Sequence, residues 1–223
     1  MADTPVPLNN VPVAAHPVVS DDGAMAAMAT ALMQSRQTIL PKRLGAPGPA
    51  PAELATIVSA AAHAPDHGQL LPWRFVLVPD AARPLLAEVF AQALLERDPC
   101  ATPEQCGQAR EKAFRAPVLM LVVVDGERGD PEIDLAERLL SAGCAVQNML
   151  LMATAQGYGS ALTSGKALKA ASLRALFRLS ACERALCFVS IGTVLSRKAA
   201  RARPMAGAYV STLDADRGVV PGF

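Results

Sequence analysis

Hydrophobic positions recur at helical spacing in several stretches of the chain. Near the N-terminus an apolar face follows Asp21 and Asp22, and it predicts a first helix that packs its methionines into the core. That face comprises Met25, Met28, Ala29, Leu32 and Met33. Similar spacing predicts helices over residues 51–63, 83–96, 133–156 and 172–179. The helix over residues 133–156 is nearly all apolar from Ala142 to Ala155, so we expect it to be buried on most sides.

Other local signals complete the predicted secondary structure. The segment Thr102-Pro103-Glu104-Gln105 is a capping box and predicts a further helix that ends near Phe114. The β-branched run Val118–Val124 predicts a buried strand. Further strands are predicted over residues 74–78, 158–163, 184–194 and 209–213. Because helices and strands alternate irregularly, we expect one α+β domain with four or five strands.

Composition narrows the class of protein. The chain has 223 residues, is 52% hydrophobic and carries a net charge of +1, which excludes global disorder. The near-zero charge gives no whole-chain argument for binding nucleic acid or an anionic membrane, and the longest apolar run is too short to span a bilayer. Prolines in residues 1–20 predict an N-terminal tail, followed by a single domain over residues 21–223.

Cysteine usage and the N-terminal charges bear on the compartment. The five cysteines are odd in number, scattered and without a CxxC pair, so we expect neither a disulfide framework nor a zinc site. Asp3, Asp21 and Asp22 precede any Lys or Arg, which does not fit a signal peptide. Together these features predict a cytoplasmic protein.

The common catalytic motifs are missing from the sequence. It contains no GxGxxG after a strand, no Walker loop, no GxSxG and no HExxH. His63 and His67 have the spacing of helical metal ligands, but Pro65 interrupts the helix and no third ligand is close in sequence. The pair therefore belongs either to a helix-terminating loop or to a ligand-binding loop, and we expect no metal.

Several short motifs occur together in a recognisable order. They are Arg36-Gln37-Thr38, the segment APDHGQLLPWRF at residues 64–75, Phe114-Arg115-Ala116-Pro117, residues 141–149, Gly157-Tyr158-Gly159, Leu162-Thr163-Ser164-Gly165 and Ile191-Gly192-Thr193. The set resembles the FMN-dependent nitroreductase family, most closely its short-chain members, and covers residues 25–213.

The resemblance implies a fold, a cofactor and a reaction. The implied fold is α+β, with a central, mainly antiparallel sheet of four to five strands flanked by helices, in a homodimer that binds FMN at its interface. The implied reaction transfers hydride from NAD(P)H through the flavin to a nitroaromatic, quinone or similar acceptor. The cofactor does this chemistry, so no side chain is assigned as a catalytic acid or base. Alternatives are a flavin- or nucleotide-binding module without turnover and an interaction protein that uses a basic edge.

The resemblance also assigns cofactor-binding residues. Those expected on the phosphate and ribityl chain are Arg36, Gln37, Thr38, Arg197 and Lys198. His63 and His67 are expected to reach the FMN of the partner subunit, and Leu162, Thr163 and Ser164 are expected against the flavin ring. Guanidinium and ammonium groups suit a phosphate dianion. Two alternatives remain: residues 197–203 form only a solvated basic edge, and Trp73 packs in the core instead of contacting flavin.

Overall fold

The computed structural model describes residues 22–199 and 201–223, so the expected N-terminal tail lies outside the described part. The described residues fall into two units that divide between Ser35 and Arg36. The first unit contributes helix α1, Asp22–Ser35, as its apolar spacing predicts. The expectation that its methionines are core residues is wrong for the single chain, because Met25, Met28 and Met33 are exposed. Spacing identifies a helical face but not what covers it.

The second unit contains the remaining helices and all strands of the described chain. The helices are α2 Pro51–Ser59, α3 Arg83–Arg97, α4 Pro103–Glu111, α5 Leu135–Ala155 and α6 Ala171–Leu176. The strands are β1 Leu44–Gly45, β2 Trp73–Leu77, β3 Val118–Asp125, β4 Gly159–Thr163, β5 Glu183–Val194, β6 Ser211–Asp214 and β7 Gly218–Pro221. The sequence predicted most of these elements; β1 and β7 were not predicted.

An antiparallel sheet of five strands organises this unit. Its order is β1-β5-β3-β2, and β4 also pairs with β5. The pairs Leu121–Phe188 and Ala161–Ser190 fix the registers of β3 and β4 against β5. Strands β6 and β7 form a separate hairpin. The expected antiparallel sheet of four to five strands flanked by helices is confirmed.

Strand β3 separates two hydrophobic cores because its side chains alternate between the two faces of the sheet. Met120, Val122 and Val124 pack with α2 and α5 on one face. Leu119, Leu121 and Val123 pack with α3 and α6 on the other. A strand buried on both faces needs apolar residues at every position, which is why the run from Val118 to Val124 was recognisable in the sequence.

Helix α5 begins at an N-cap, where Asp134 accepts hydrogen bonds from the backbone N–H groups of Ala136 and Glu137. Its inner face, which includes Ala142, is fully buried against the sheet. The expectation that α5 is buried on most sides is wrong in the single chain, where Gly143 and Gln147 are exposed and Leu140, just before that stretch, is 71% exposed. None of the helices in the described ranges has the length and hydrophobicity that crossing a bilayer requires.

Candidate functional site

A cavity of about 680 Å³ opens on the face of the sheet that carries α3 and α6. Its floor contains Leu119 of β3 together with Phe188 and Ser190 of β5. Leu119 and Ser190 are direct cross-strand partners, so their side chains share this face. Helices α3 and α4 form one wall, and Arg115 together with residues 40–42 and 163–168 completes the lining.

The helical wall is built from one face of each helix. Residues three or four apart on a helix lie on the same face. The cavity-lining residues are Phe90, Leu94 and Arg97 on α3, and Gln105, Gln108, Ala109 and Lys112 on α4 and the turn that continues it. The predicted capping box holds the start of α4, since Thr102 Oγ1 accepts from Gln105 N and Gln105 Oε1 accepts from Thr102 N. Arg110 donates two hydrogen bonds to Glu88, at 2.8 and 3.0 Å, and so joins α4 to α3.

A buried arginine holds the base of this wall. Arg83 is 2% exposed, and its guanidinium donates to the carbonyl oxygens of Val78, Ala113 and Pro117 at 2.9, 2.6 and 3.1 Å. Burial lowers the pKa of Arg83. The three carbonyls come from the end of the β2 segment, the turn after α4 and the entry to β3. One side chain therefore fixes the chain segments on both sides of Arg115, which lines the cavity.

The cavity is strongly cationic. Its lining includes the basic residues Lys42, Arg97, Lys112, Arg115 and Lys166 and, among the residues that the structure describes, no Asp or Glu. Within residues 22–199 and 201–223, none of these five side chains forms an ion pair or a hydrogen bond. A concave site with unpaired positive charge and an apolar floor attracts an anion that carries a flat, apolar body.

Two of the expected ring-contacting residues, Thr163 and Ser164, line this cavity. Thr163 pairs with Phe188 across the strands, which places its side chain on the cavity face. Leu162 pairs with Val189, a residue of the core on the opposite face, and it does not line the cavity. Strand alternation thus separates Leu162 from Thr163.

The expected phosphate-binding segment Arg36–Thr38 lies outside the cavity but beside β4. Thr38 forms a β-bridge with Ser160, and Ile39 N donates to Ser160 O at 2.9 Å. Ser160 and Thr163 are three residues apart, which is about 10 Å along a strand. Strand β4 therefore links the surroundings of Thr38 to the cavity mouth.

Arg197 and Lys198, also expected on the phosphate, follow the end of β5 and are exposed. They do not line the cavity either. Strand β1 pairs with the end of β5, and Leu195 N donates to Arg43 O at 2.9 Å. At this junction side chains pack directly over Gly159, since a Cβ there would lie 2.7 Å from Val194 Cγ2 and 2.8 Å from Leu44 Cδ2. Pairing thus brings the end of β5, the start of β4 and the segment after Thr38 to one region.

The loop between His63 and strand β2, which contains His67, is a strained turn. Its left-handed residues Gly68, Gln69 and Leu71 have φ angles of 67°, 51° and 47°. Asp66 Oδ2 accepts a hydrogen bond from Leu71 N at 2.7 Å, so this aspartate of the segment Pro65-Asp66-His67 stabilises the turn. Strain of this kind in non-glycine residues costs free energy and is frequent at functional sites.

Both histidines, His63 and His67, are exposed, and neither lines the cavity of this chain. His67 Nδ1 lies 2.7 Å from Glu137 Oε2 at the start of α5. A carboxylate accepts hydrogen bonds, so this contact holds the proton on Nδ1 and orients the ring. Among the described residues no group of three or more His, Cys, Asp or Glu could hold a metal ion.

Trp73 is a core residue. Trp73 is buried in the α2–α5 core and donates from Nε1 to Ser141 Oγ at 3.1 Å, so core packing is the correct alternative.

All five cysteines are free. Burial raises the pKa of Cys187 to about 11, and a hydrogen bond to Glu127 raises the pKa of Cys182.

The cavity-lining residues of α3 and α4 were not predicted as site residues from the sequence. A signal was present in the regular spacing of Gln105, Gln108 and Lys112 on one helical face. A polar helical face usually faces solvent, however, so this spacing alone does not distinguish a cavity wall from a surface.

The fold and the cavity define an α+β protein with a cationic cavity beside an antiparallel sheet. A sequence profile of the Nitroreductase family matches residues 34–193, so the chain belongs to this family. The family expected from the motifs is confirmed.

Comparisons with individual proteins agree with this assignment. A Haemophilus influenzae protein, whose name describes it as a candidate NAD(P)H nitroreductase, is 33% identical over 156 residues, covering 70% of this chain and 84% of its own. The structure of a nitroreductase-like family protein from Bacillus cereus has a TM-score of 0.72 at 15% identity, covering 90% of this chain and 100% of its own. The NADPH:FMN oxidoreductase of Vibrio harveyi, in complex with NAD+, has a TM-score of 0.63 at 19% identity, covering 81% and 75%. The two structural likenesses show the shared fold.

Proposed function

We propose that the protein binds FMN beside the cationic cavity and reduces an electron-poor small molecule, such as a nitroaromatic or a quinone, with NAD(P)H. Membership of the nitroreductase family makes the chain an FMN-dependent NAD(P)H oxidoreductase, as the sequence predicts. The observation that carries the proposal is that Thr163 and Ser164, two of the residues expected against the flavin ring, line a cavity whose floor includes Leu119 and Phe188. Bound FMN supplies the redox chemistry, because its ring can accept a hydride and return electrons to an acceptor.

The residues of this chain fit the parts of FMN. The dianionic phosphate requires cationic and hydroxyl donors, which we assign to Arg36, Gln37, Thr38, Arg197 and Lys198. Arg36 is partly buried and forms no ion pair within the described residues. The stretch of β4 between Ser160 and Thr163 provides the separation for the ribityl chain.

We assign Thr163 and Ser164, which line the cavity, to contact the flat flavin ring. The contact of Leu162 with the flavin ring remains a prediction, although the side chain of Leu162 lies on the other face of the sheet. Among the described residues the cavity lining contains no His, Asp or Glu. The chain therefore contributes binding, orientation and positive charge, and we assign no catalytic acid or base.

We propose a homodimer with FMN at the interface. Helix α5 exposes Leu140, Gly143 and Gln147 on the side opposite the core. The C-terminal segment exposes further large apolar residues, among them Leu213 and Phe223. A second copy would remove these surfaces from water, as obligate interfaces do. It would also allow His63 and His67 to reach the FMN of the partner subunit. We further propose a cytoplasmic location, supported by the five free cysteines.

The first test is the absorption spectrum of the purified protein, with the released cofactor identified. We expect flavin bands, release of FMN, and bleaching of the flavin by NAD(P)H without oxygen. A flavin that binds but is not bleached would favour the binding module over the oxidoreductase. A colourless protein that does not bind added FMN would refute the proposal.

The phosphate assignment is tested by Arg36→Ala. Loss of a charge-assisted hydrogen bond should weaken FMN binding by roughly 1.5–3 kcal/mol, or about 10- to 150-fold. Flavin fluorescence titration measures this affinity. Arg184→Ala is the matched control, because Arg184 is exposed and does not line the cavity. An unchanged affinity in Arg36→Ala would remove Arg36 from the site.

The interface assignment is tested by complementation between Arg36→Ala and His67→Ala chains. If the two residues serve one FMN from different subunits, a hybrid dimer has one site with both residues and one site with neither. Refolding the variants together should then restore part of the activity. No gain over the parents, with hybrid dimers demonstrated, would contradict this assignment, and a folded, flavin-loaded monomer by light scattering would contradict the dimer.

A further inference from the structure

We propose that the α3–α4 rim of the cavity, defined by Arg97, Gln105 and Gln108, binds an acidic group on the electron acceptor. The physiological acceptor would then be an anionic aromatic compound, such as an aromatic carboxylate, rather than a neutral one. The assignment of an acceptor rests on the proposed function above. The rim itself is defined by the cavity and can be tested separately.

The cavity contains more positive charge than the cofactor assignment uses. The groups assigned to the FMN phosphate, chiefly Arg36, Arg197 and Lys198, do not line the cavity. The five basic residues that do line it are additional to them. Five basic side chains around one cavity create a positive potential that attracts anions. A second anionic group, distinct from the FMN phosphate, is therefore expected in this cavity.

Helix α3 grades from apolar to cationic along the cavity. Phe90 packs edge-on against Phe188 of the floor, with ring centroids 5.6 Å apart. Leu94 is one turn further along, and Arg97 is the next lining residue. Phe90 and Arg97 are seven residues apart, which is about 10 Å along the helix axis. This lining suits an aromatic ring near Phe90 and an acidic substituent near Arg97.

The acidic residues next to Arg97 are occupied elsewhere. Glu96 accepts hydrogen bonds from the backbone N–H groups of Ala171 and Ser172, at 3.1 and 3.2 Å. Asp98 accepts from Cys100 N at 3.2 Å. Both carboxylates thus serve backbone donors, and within the described residues Arg97 forms no ion pair. Its guanidinium remains available to a ligand.

The rim favours one planar acid group over a nucleotide pyrophosphate. A guanidinium binds a carboxylate through two parallel hydrogen bonds. The side-chain amides of Gln105 and Gln108 add neutral donors on the opposite helix. Among the three rim residues only Arg97 is cationic, and one charge with neutral amides matches a monoanion; a pyrophosphate would also draw on cations of the cavity outside the rim, such as Lys112. The length from Phe90 to Arg97 also accommodates a single substituted ring.

The test compares 4-nitrobenzoate with 4-nitrobenzamide, which have similar size and differ in charge. We expect the flavin-loaded wild-type protein to have the higher kcat/KM for nitrobenzoate. Arg97→Gln should lower the nitrobenzoate-to-nitrobenzamide ratio by about five- to fifty-fold, the range for a partly solvated charge-assisted hydrogen bond. Arg97→Lys should lower this ratio less, because lysine keeps the charge but lacks the planar guanidinium that forms two parallel hydrogen bonds. Arg184→Gln is the matched control and should leave the ratio unchanged.

A binding measurement separates this inference from the proposed function. Isothermal titration of 4-nitrobenzoate into the protein as purified should give a Kd about five- to fifty-fold higher for Arg97→Gln than for wild type. This result would support the rim even in a protein that does not oxidise NAD(P)H. Equal Kd values, or an unchanged acceptor ratio, would overturn the inference. A raised KM for NAD(P)H with an unchanged acceptor ratio would also overturn it and assign Arg97 to the nucleotide.

Discussion

Replacement of the buried Arg83 by methionine tests how the cavity wall is held. The guanidinium of Arg83 donates to three carbonyl oxygens, of Val78, Ala113 and Pro117. Methionine retains an unbranched apolar stem of similar shape but has no donor. The side chain would still fill the space, so the change isolates the hydrogen bonds from the packing.

The structure sets the scale of the effect. Each carbonyl that loses its partner in a buried site costs about 1–3 kcal/mol. Part of this cost is offset because the variant no longer buries a charge, whose desolvation lowers the pKa of Arg83 in the wild type. Three such carbonyls, less this offset, make a loss of about 3–5 kcal/mol the expected result. This is a large share of the roughly 5–15 kcal/mol that stabilises a typical protein.

Guanidinium chloride unfolding, followed by the fluorescence of Trp73, measures the free energy of unfolding. Wild type and variant are compared at one protomer concentration, because a dimer's stability depends on concentration. Arg184→Met is the matched control, since Arg184 is exposed and should change stability by less than about 0.5 kcal/mol. An Arg83→Met protein within about 1 kcal/mol of that control would refute the reasoning, because the carbonyls would then need no donor.

Further predictions concern the thiols and one ion pair. Because burial raises the pKa of Cys187 to about 11, we expect iodoacetamide at pH 8 to label the exposed Cys100 well before Cys187. Equal labelling rates would contradict the burial of Cys187. We also expect mass spectrometry of the non-reduced protein to find no disulfide. Arg74, whose Nε lies 2.6 Å from Glu183 Oε1, lowers the pKa of Glu183. The stability from this pair is therefore complete above the unfolded pKa, about 4.3, and is lost as the pH falls through the lower folded pKa. Glu183→Gln should reduce the decline in the free energy of unfolding over this acidic range by less than about 1 kcal/mol, because Arg74 is partly exposed. Parallel curves of unfolding free energy against pH for the two proteins would contradict the assignment.

The parts of the fold that the sequence predicts are those decided by local physics. The capping box at Thr102 and the run from Val118 to Val124 each specify their structure within a few residues. The two-residue strand β1 was not predicted, because it exists only through pairing with the end of β5, about 150 residues away in sequence. The exposed stripe of α5 was missed for the same reason, since apolar composition does not say which surface of a helix is covered.

The candidate site was predicted in part. The motifs singled out Thr163 and Ser164, which line the cavity, because this short segment carries its own sequence signature. They did not locate Arg97 or Lys112, because single basic residues on helices are usually solvated. Arg83 illustrates the same limit, since its three acceptors lie 5, 30 and 34 residues away in sequence and become its partners only in the folded chain.

The sheet divides the two proposed tasks of this protein between its faces. Helix α5 covers one face and exposes Leu140 outward, where a second copy would bind. The cavity lies on the other face, between α3 and α4. Because β3 is buried on both sides, the two faces share a rigid layer but no side chains. Changes at the α3–α4 rim should therefore alter acceptor preference without altering assembly, whereas changes along the exposed side of α5 should weaken assembly and, with it, the FMN site that the proposed interface completes. Strand β4 is the exception, because Ser160 bonds the segment after Thr38 while Thr163 lines the cavity, and substitutions there should affect cofactor and substrate together.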